Sequence, residues 1–421
     1  METVNKIITL IENGQHEEAF KKVNQILEKG SNEERIVLGE ELFQYGFLEE
    51  AKSLFEKLLT IYPEEGELLV LLGETLMELG EEEEALEVLR KINENDPSYP
   101  QCLLLQADLY QMQGLYEVSE QKLMVAKKLL PEEVIIDFAL GELYSEQGRF
   151  IEAIKSYNKV LKVEHEIAGV NVHQRLGDAF SAGGAFEEAI PHYEKALEEN
   201  LEINTLFNYA LTAYQAGMNK TAIEKFTELM ELDPEYNSLY LYLAKAYEKE
   251  EELEKSFESI QHGLRYDEYN KDLFLYGGKI ALKLGEETKA EDLIRQALAI
   301  DPEFIEAALT LNKIFLHQER YEDVLDIITS MESNAVEEPQ LIWDEAIALQ
   351  HLEKFSQSLN KYQLAYNFFK NNKDFLTDFG YFLIEEGKRS EAAEIFKKLL
   401  QMDPSNVEFE EVLQRITDDF V

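Results

Sequence analysis

Cysteine is almost absent from this chain: Cys102 is the only one in 421 residues. No intrachain disulfide can form, so packing alone must hold the fold, and a lone thiol fits a reducing compartment. Positive charge is scarce too, with 40 Lys and Arg against 85 Asp and Glu and a formal net charge of -45. The acidic residues spread along the whole length, which argues against nucleic acid and anionic membranes, whose phosphates such a surface repels. A basic or neutral partner fits better, although a solvated acidic surface also keeps a protein soluble. Long hydrophobic runs are missing: stretches such as LLVLL at 68–72 are far too short to span a bilayer. The opening METVNKIITLIENGQHEEAF has neither a basic start nor an apolar signal core. A soluble, cytoplasmic protein is expected.

Catalytic and cofactor patterns are lacking as well. There is no G-x-x-x-x-G-K-[ST], no G-x-G-x-x-G after a strand, no H-E-x-x-H and no G-x-S-x-G. HEEAF at 16–20 begins like a zinc motif without its second histidine, and the seven histidines are scattered. Carboxylates sit in helical surface runs such as Glu81–Glu84, where they complement a helix N-terminus. No enzymatic activity, cofactor or metal is expected.

What the chain does have is a period. Gly46, Gly80, Gly114 and Gly148 are each 34 residues apart, and the same register continues through Gly184, Gly217, Glu251, Gly285, Glu319, Glu353 and Gly387. Seven residues before each stands a second, usually small residue, among them Gly39, Gly73, Ala107, Gly141, Gly177, Gly278 and Gly380, with Asn312 the polar departure. Five residues after comes a third, such as Ala51, Ala85, Ser119, Ala153, Ser256 and Ser358. Four further on sits a larger residue, including Phe55, Tyr157, Tyr193, Phe226, Tyr362 and Phe396. Each unit therefore reads as two amphipathic helices joined by a Gly-centred turn, the small residues letting helices A and B approach closely. Six of the nine prolines (Pro63, Pro97, Pro131, Pro234, Pro302 and Pro404) fall at one register where helix B should stop.

This pattern resembles the tetratricopeptide repeat (TPR), with small residues at its eighth and twentieth positions and proline at its thirty-second. The resemblance runs from about residue 32 to 405 and is similar to that of cytoplasmic bacterial TPR-array proteins. It implies an all-α, right-handed α-solenoid superhelix of about 12 helix-turn-helix units. Residues 1–31, carrying Gly14 and Ala19, read as a degenerate first repeat. VEFEEVLQRITDDF, with Phe409, Leu413, Ile416 and Phe420 on one face, reads as a capping helix over 406–421. The link VEHEIAGVNVH at 163–173 gains two residues and loses its proline, and is the expected break, or hinge, between sub-arrays at 32–165 and 166–405.

The resemblance further implies that positions 2, 5, 6, 9, 12 and 13 of each helix A face a ligand in a concave groove. In the C-terminal half, position 9 is Lys245, Lys279 and Lys313, and position 13 is Lys249, Lys283, His317 and His351. Tyr242 and Tyr276 hold position 6, Trp343 position 5 and Tyr381 position 9. Cationic rungs beside rings suit an extended peptide bearing Asp, Glu or a terminal carboxylate, whereas charge balance and packing between repeats account for the same residues without a ligand. The N-terminal half presents an acidic trough of Glu33, Glu40, Glu67, Glu74, Glu78, Asp108, Glu142 and Glu146, suited to a basic segment. The pattern of Lys and Asn by which TPR co-chaperones grip an acidic C-terminal tail has no match here: Asn208 fits, but Gln174 and Asp178 precede it. The expected function is a non-enzymatic scaffold binding a peptide or helix of a protein partner. A peptide-responsive regulator and a self-assembling structural protein, with homo-oligomerisation, are the alternatives.

Overall fold

The computed structural model describes residues 2–331 and 338–418. They form 25 helices and one two-stranded sheet, and they fall into two compact units, Met1–Ala216 and Gly217–Val421. The first unit holds α1 (Glu2–Glu12), α2 (His16–Lys29), α3 (Asn32–Gln44), α4 (Leu48–Leu59), α5 (Gly66–Glu78), α6 (Glu82–Leu89) and α7 (Tyr99–Met112). It continues with α8 (Tyr116–Leu129), α9 (Val134–Glu146), α10 (Phe150–Val160), β1 (Glu166–Ile167), β2 (Val170–Asn171), α11 (Val172–Ala182), α12 (Phe186–Glu199) and α13 (Ile203–Gln215). The second holds α14 (Asn219–Leu232), α15 (Ser238–Lys249), α16 (Leu253–Tyr266), α17 (Lys271–Lys283), α18 (Glu287–Ile300) and α19 (Ile305–His317). It ends with α20 (Tyr321–Ser330), α21 (Pro339–His351), α22 (Phe355–Phe369), α23 (Lys373–Glu385), α24 (Arg389–Met402) and α25 (Val407–Asp418). This is the all-α array of helical hairpins that the repeat requires.

Each hairpin turn is a helix C-cap with one residue in the left-handed region. At Gly46 (φ 79°) the Phe47 N–H reaches back to Leu42 C=O at 2.8 Å, while the Gly46 N–H donates to Phe43 C=O at 3.0 Å. Glu251, Glu319 and Glu353 keep the same backbone (φ 61°, 57° and 59°) although they carry a Cβ, so the fold imposes the turn against local preference.

The small residues of helix A lie directly under a side chain of helix B sixteen positions later. A Cβ on Gly141 would sit 2.5 Å from the Tyr157 ring, one on Gly177 2.7 Å from Tyr193, and one on Gly39 2.6 Å from Phe55. Those three rings are buried, which makes glycine's loss of helix propensity worth roughly 1 kcal/mol a small cost beside burying a whole ring. At two of the third small positions held by serine the hydroxyl is satisfied by helix A: those of Ser256 and Ser358 donate to Ala244 and Ala346 C=O, both at 2.8 Å, whereas the buried Ser119 hydroxyl has no partner among the described residues. The Asp-Pro stops also have a bonding reason, since Asp96, Asp233 and Asp301 each accept the N–H two residues on, at 2.8–3.1 Å.

Asn312 replaces the usual small residue because it has a polar neighbour. It is fully buried, and its amide donates to the buried Asp344 carboxylate of α21 at 3.3 Å. In α25, Phe409, Val412 and Ile416 are buried, with Leu413 half-buried beside them, so the capping expectation holds for these residues. Phe420 lies outside the described residues.

The 163–173 link is not an irregular loop but a β-hairpin. Glu166 pairs with Asn171 and Ile167 with Val170, around a two-residue turn in which Ala168 and Gly169 both have positive φ (50° and 81°). That is the type I′ geometry that matches strand twist. Ile167 tucks into the cluster of Val160, Val172 and Leu176. The link lies inside the first compact unit, whose limit is at 216/217.

Candidate binding faces of the A helices

Across each unit, one helix A is bonded to the next in two recurring registers. Position 9 meets position 2 of the following repeat, 27 residues on: Gln101 donates to Glu74 at 2.9 Å, Lys279 pairs with Glu306, and Tyr381 donates to Glu408 at 2.6 Å. Position 12 meets position 13 of the following repeat, 35 residues on, as in Gln111 with Glu146, Gln350 with Glu385, and Glu248 with Lys283. These contacts follow from stacking repeats in fixed register, so some of the residues expected to face a ligand instead tie neighbouring repeats together.

Within the second unit the cations divide accordingly. Lys283 pairs with Glu248, which also accepts the Tyr276 hydroxyl. Lys245 has no carboxylate partner among the described residues; its ammonium lies 5.3 Å from the centre of the Tyr242 ring and 5.8 Å from that of Tyr276. Lys249 is exposed. Lys313 is exposed and has no ion-pair partner among the described residues, because the position 27 residues on is Gln340, which donates to Asp344 instead. His351 stacks flat on Tyr321, with centroids 4.3 Å apart and planes 4° apart.

Lys279, Lys313 and His317 converge. They rim a depression of about 680 Å³ between α17 and α19, whose apolar lining is Leu282, Leu309 and Ile314. Glu306, the partner of Lys279, and Glu287 share the rim. Trp343 and Tyr381 stand elsewhere. Trp343 is half-buried against Phe369 and Phe375, both at 5.3 Å, and its indole N–H donates to Asp378 at 3.2 Å. Tyr381 is tied to the capping helix through Glu408 and packs edge-on to Phe396.

The acidic residues divide in the same way. Glu33, Glu67 and Glu78 are exposed. Glu40 is exposed, and partial burial together with the charge of Glu67 raises its carboxyl above the usual range. Burial also raises Glu74, which Gln101 partly offsets. Asp108, Glu142 and Glu146 line a depression of about 570 Å³ together with Leu104, Ile135 and Phe138. Asp108 is open to solvent at the mouth of this depression, but the surrounding protein strips enough hydration to push its carboxyl up to about 6. Glu142 is held by Arg175 at 3.0 Å and by the Tyr157 hydroxyl, and Glu146 by Tyr116 at 3.1 Å. Of these three, Asp108 is the one without a hydrogen-bond or ion-pair partner among the described residues.

Matches to known families agree with this architecture. Family models described as YpiA-like tetratricopeptide repeats match residues 111–165, and YpiA-like C-terminal tetratricopeptide repeats match 339–406. General tetratricopeptide-repeat models match 42–109 and 172–204. The TPR repeat-containing protein YpiA of Bacillus subtilis (strain 168) is 44% identical over 417 residues, covering 99% of both chains. The chain belongs to the YpiA-like family of tetratricopeptide-repeat proteins. Among solved structures, YrrB, described as a TPR protein with an unusual peptide-binding site, aligns at 18% identity and TM-score 0.38 over 47% of this chain and 97% of its own. A chain of the APC/C hetero-tetramer Cut9-Hcn1 aligns at 11% identity and TM-score 0.39 over 97% of this chain and 95% of its own.

Several functional-looking groups carry no repeat signature and were missed in the sequence. Asp137 is buried between Lys127 at 2.6 Å and Lys159 at 3.0 Å, joining three successive helices. Complementary charge at spacings of 10 and 22 residues is the only sequence trace of it. Asp178, a mismatch to the co-chaperone pattern, accepts from Tyr193 at 2.8 Å and Asn208 at 3.1 Å beside a depression of about 540 Å³. The lone thiol is inert: Cys102 is fully buried, donates to Leu89 C=O at 3.2 Å, and burial pushes it up to about 11. No helix among the described residues is long and apolar enough to cross a membrane.

Proposed function

We propose that the protein is a non-catalytic scaffold that takes an extended, acidic and apolar peptide segment of a partner protein against the α17–α19 face. Tetratricopeptide repeats are protein-interaction modules, and that level of function comes with the family. The finer reading rests on one observation. The depression there pairs an apolar floor with Lys313, a cation without a carboxylate partner among the described residues in a chain of net charge -45. Lys245 and Lys249 also lack an ion-pair partner among the described residues, but of these three only Lys313 lines the apolar depression.

A segment lying along this face would set a Leu- or Phe-like side chain on Leu282, Leu309 and Ile314 and a carboxylate between Lys313 and His317. It would compete with Glu306 for Lys279. Nothing in this arrangement needs a cofactor or a nucleic acid, and the lone buried thiol suits a cytoplasmic setting.

The test is selection of random peptides by the full-length protein and by Lys279→Glu/Lys313→Glu. Wild type should enrich sequences combining Asp or Glu with large apolar residues, and the variant should lose them while keeping its helical circular dichroism. Enrichment of Lys- and Arg-rich peptides by both proteins would refute the reading and favour the depression around Asp108.

A further inference from the structure

Three of the seven histidines lie within residues 165–192, and the hairpin brings them together. His165 sits at the entry to β1, His173 in the first turn of α11 and His192 in the middle of α12. The ring centres of His165 and His173 are 5.7 Å apart, and those of His173 and His192 5.2 Å. Glu199, at the end of α12, completes the group. We propose that His165, His173 and Glu199 form a binding site for a zinc-class divalent transition metal, with His192 and Asn171 as outer-shell supports.

The donor atoms of these three residues all lie within 4.8 Å of one another. A tetrahedral ion with bonds near 2.1 Å needs its ligands about 3.4 Å apart. His165 Nδ1 and Glu199 Oε1 already stand at 3.3 Å. Both side chains are well exposed (63% and 40%), so a small rotation of each closes the remaining distance to His173. His173 itself is buried and cannot swing, which makes it the anchor.

The surroundings have the form of an outer ligand shell. His173 Nδ1 is 3.0 Å from His192 Nδ1, so one of this pair donates to the other. With its own Nδ1 protonated, His173 presents Nε2 as a lone pair for coordination. Asn171 donates to Glu199 Oε2 at 2.6 Å, orienting the carboxylate and leaving Oε1 toward His165. Lys195 opposes a cation here and Glu199 favours it. Two imidazoles and one carboxylate select zinc and its neighbours over magnesium or calcium, which prefer all-oxygen sites. The adjoining depression of about 490 Å³, lined by His165, Asn171 and Glu199, admits the ion and leaves a fourth position for water or a partner's side chain. Bound metal would staple the hairpin to α11 and α12.

The experiment is calorimetric titration of the full-length, chelator-stripped protein with Zn²⁺ in excess Mg²⁺, which occupies the acidic surface. Co²⁺ absorption then reports the geometry. The expected result is one equivalent of Zn²⁺ per chain and a tetrahedral Co²⁺ spectrum. His165→Ala and Glu199→Gln, both exposed and safe for folding, should each weaken binding at least ten-fold, and His192→Ala should weaken it about 10- to 100-fold, as outer-shell changes do. Absence of binding under excess Mg²⁺ would overturn the proposal. So would affinity that is unchanged in both His165→Ala and Glu199→Gln, since the metal would then sit among surface carboxylates.

Discussion

Gly277 and Gly278 are neighbours in α17, and replacing each by alanine separates packing from backbone preference. Both substitutions gain the same helix propensity, roughly 1 kcal/mol. Their surroundings differ. A Cβ at 278 would lie 2.3 Å from Ile294 Cγ1, 2.9 Å from Cδ1 and 3.2 Å from Ala290 C=O. Ile294 is fully buried, and its Cγ1 is too near the backbone to swing clear. A Cβ at 277 would meet Ile260 Cγ2 at 3.1 Å and Leu293 Cδ1 at 3.5 Å, which a shift of a few tenths of an ångström accommodates. Overpacking a filled core costs ~1–3 kcal/mol, and the closer approach at 278 belongs at the upper end. Gly278→Ala should therefore destabilise by about 1–2 kcal/mol after the propensity gain, while Gly277→Ala should be neutral or stabilise by up to ~1 kcal/mol. Urea unfolding followed by far-ultraviolet circular dichroism measures the midpoints, and hydrogen exchange in α17 and α18 checks that the change is local, because repeat arrays open piecewise. Equal shifts for the two variants, or a stabilised Gly278→Ala, would show that the small residues are not there to admit helix B.

The three left-handed glutamates give a second test. Glu251→Gly, Glu319→Gly and Glu353→Gly should each raise stability by about 0.5–1 kcal/mol in thermal or urea melts, since the strain relieved exceeds glycine's extra unfolded entropy. Asp344 is buried and its carboxyl is pushed up to about 6 by that burial, against roughly 3.9 when unfolded. A raised carboxyl favours the folded state fully below about pH 4, and the advantage is lost as pH rises through 6. The stability difference between Asp344→Asn and wild type should thus grow in favour of Asn from pH 4 to pH 7, reaching on the order of 2 kcal/mol; a pH-independent difference refutes the assignment. Cys102 should resist alkylation at pH 8 in the folded protein and react at once in denaturant, read by mass spectrometry.

Much of the fold was legible because it is periodic. Gly39, Gly73, Gly141 and Gly177 could be read as contact points from spacing alone, and each does lie under a helix B side chain. The fate of the proposed ligand-facing residues was less legible. Lys279 and Lys283 look alike in a helix A register, and only the stacking of repeats reveals that each already has a glutamate. Complementarity at spacings of 27 and 35 residues is a signal that could have separated them from Lys313. Trp343 likewise reads as an exposed ring by position, yet Phe369 and Phe375 enclose it.

What the sequence by itself determined is everything carried by the 34-residue period: helical hairpins, their turns, their proline stops and the capping helix. These depend on contacts inside one repeat, where size and backbone preference at a few positions decide the outcome. Tertiary structure alone decided which side chains are spent on neighbours, that Lys313 keeps no carboxylate partner among the described residues while lining a depression, and that His165, His173, His192 and Glu199 meet. Those pairings join residues on different elements, and no local preference encodes them; they exist only once the repeats are packed at fixed spacing.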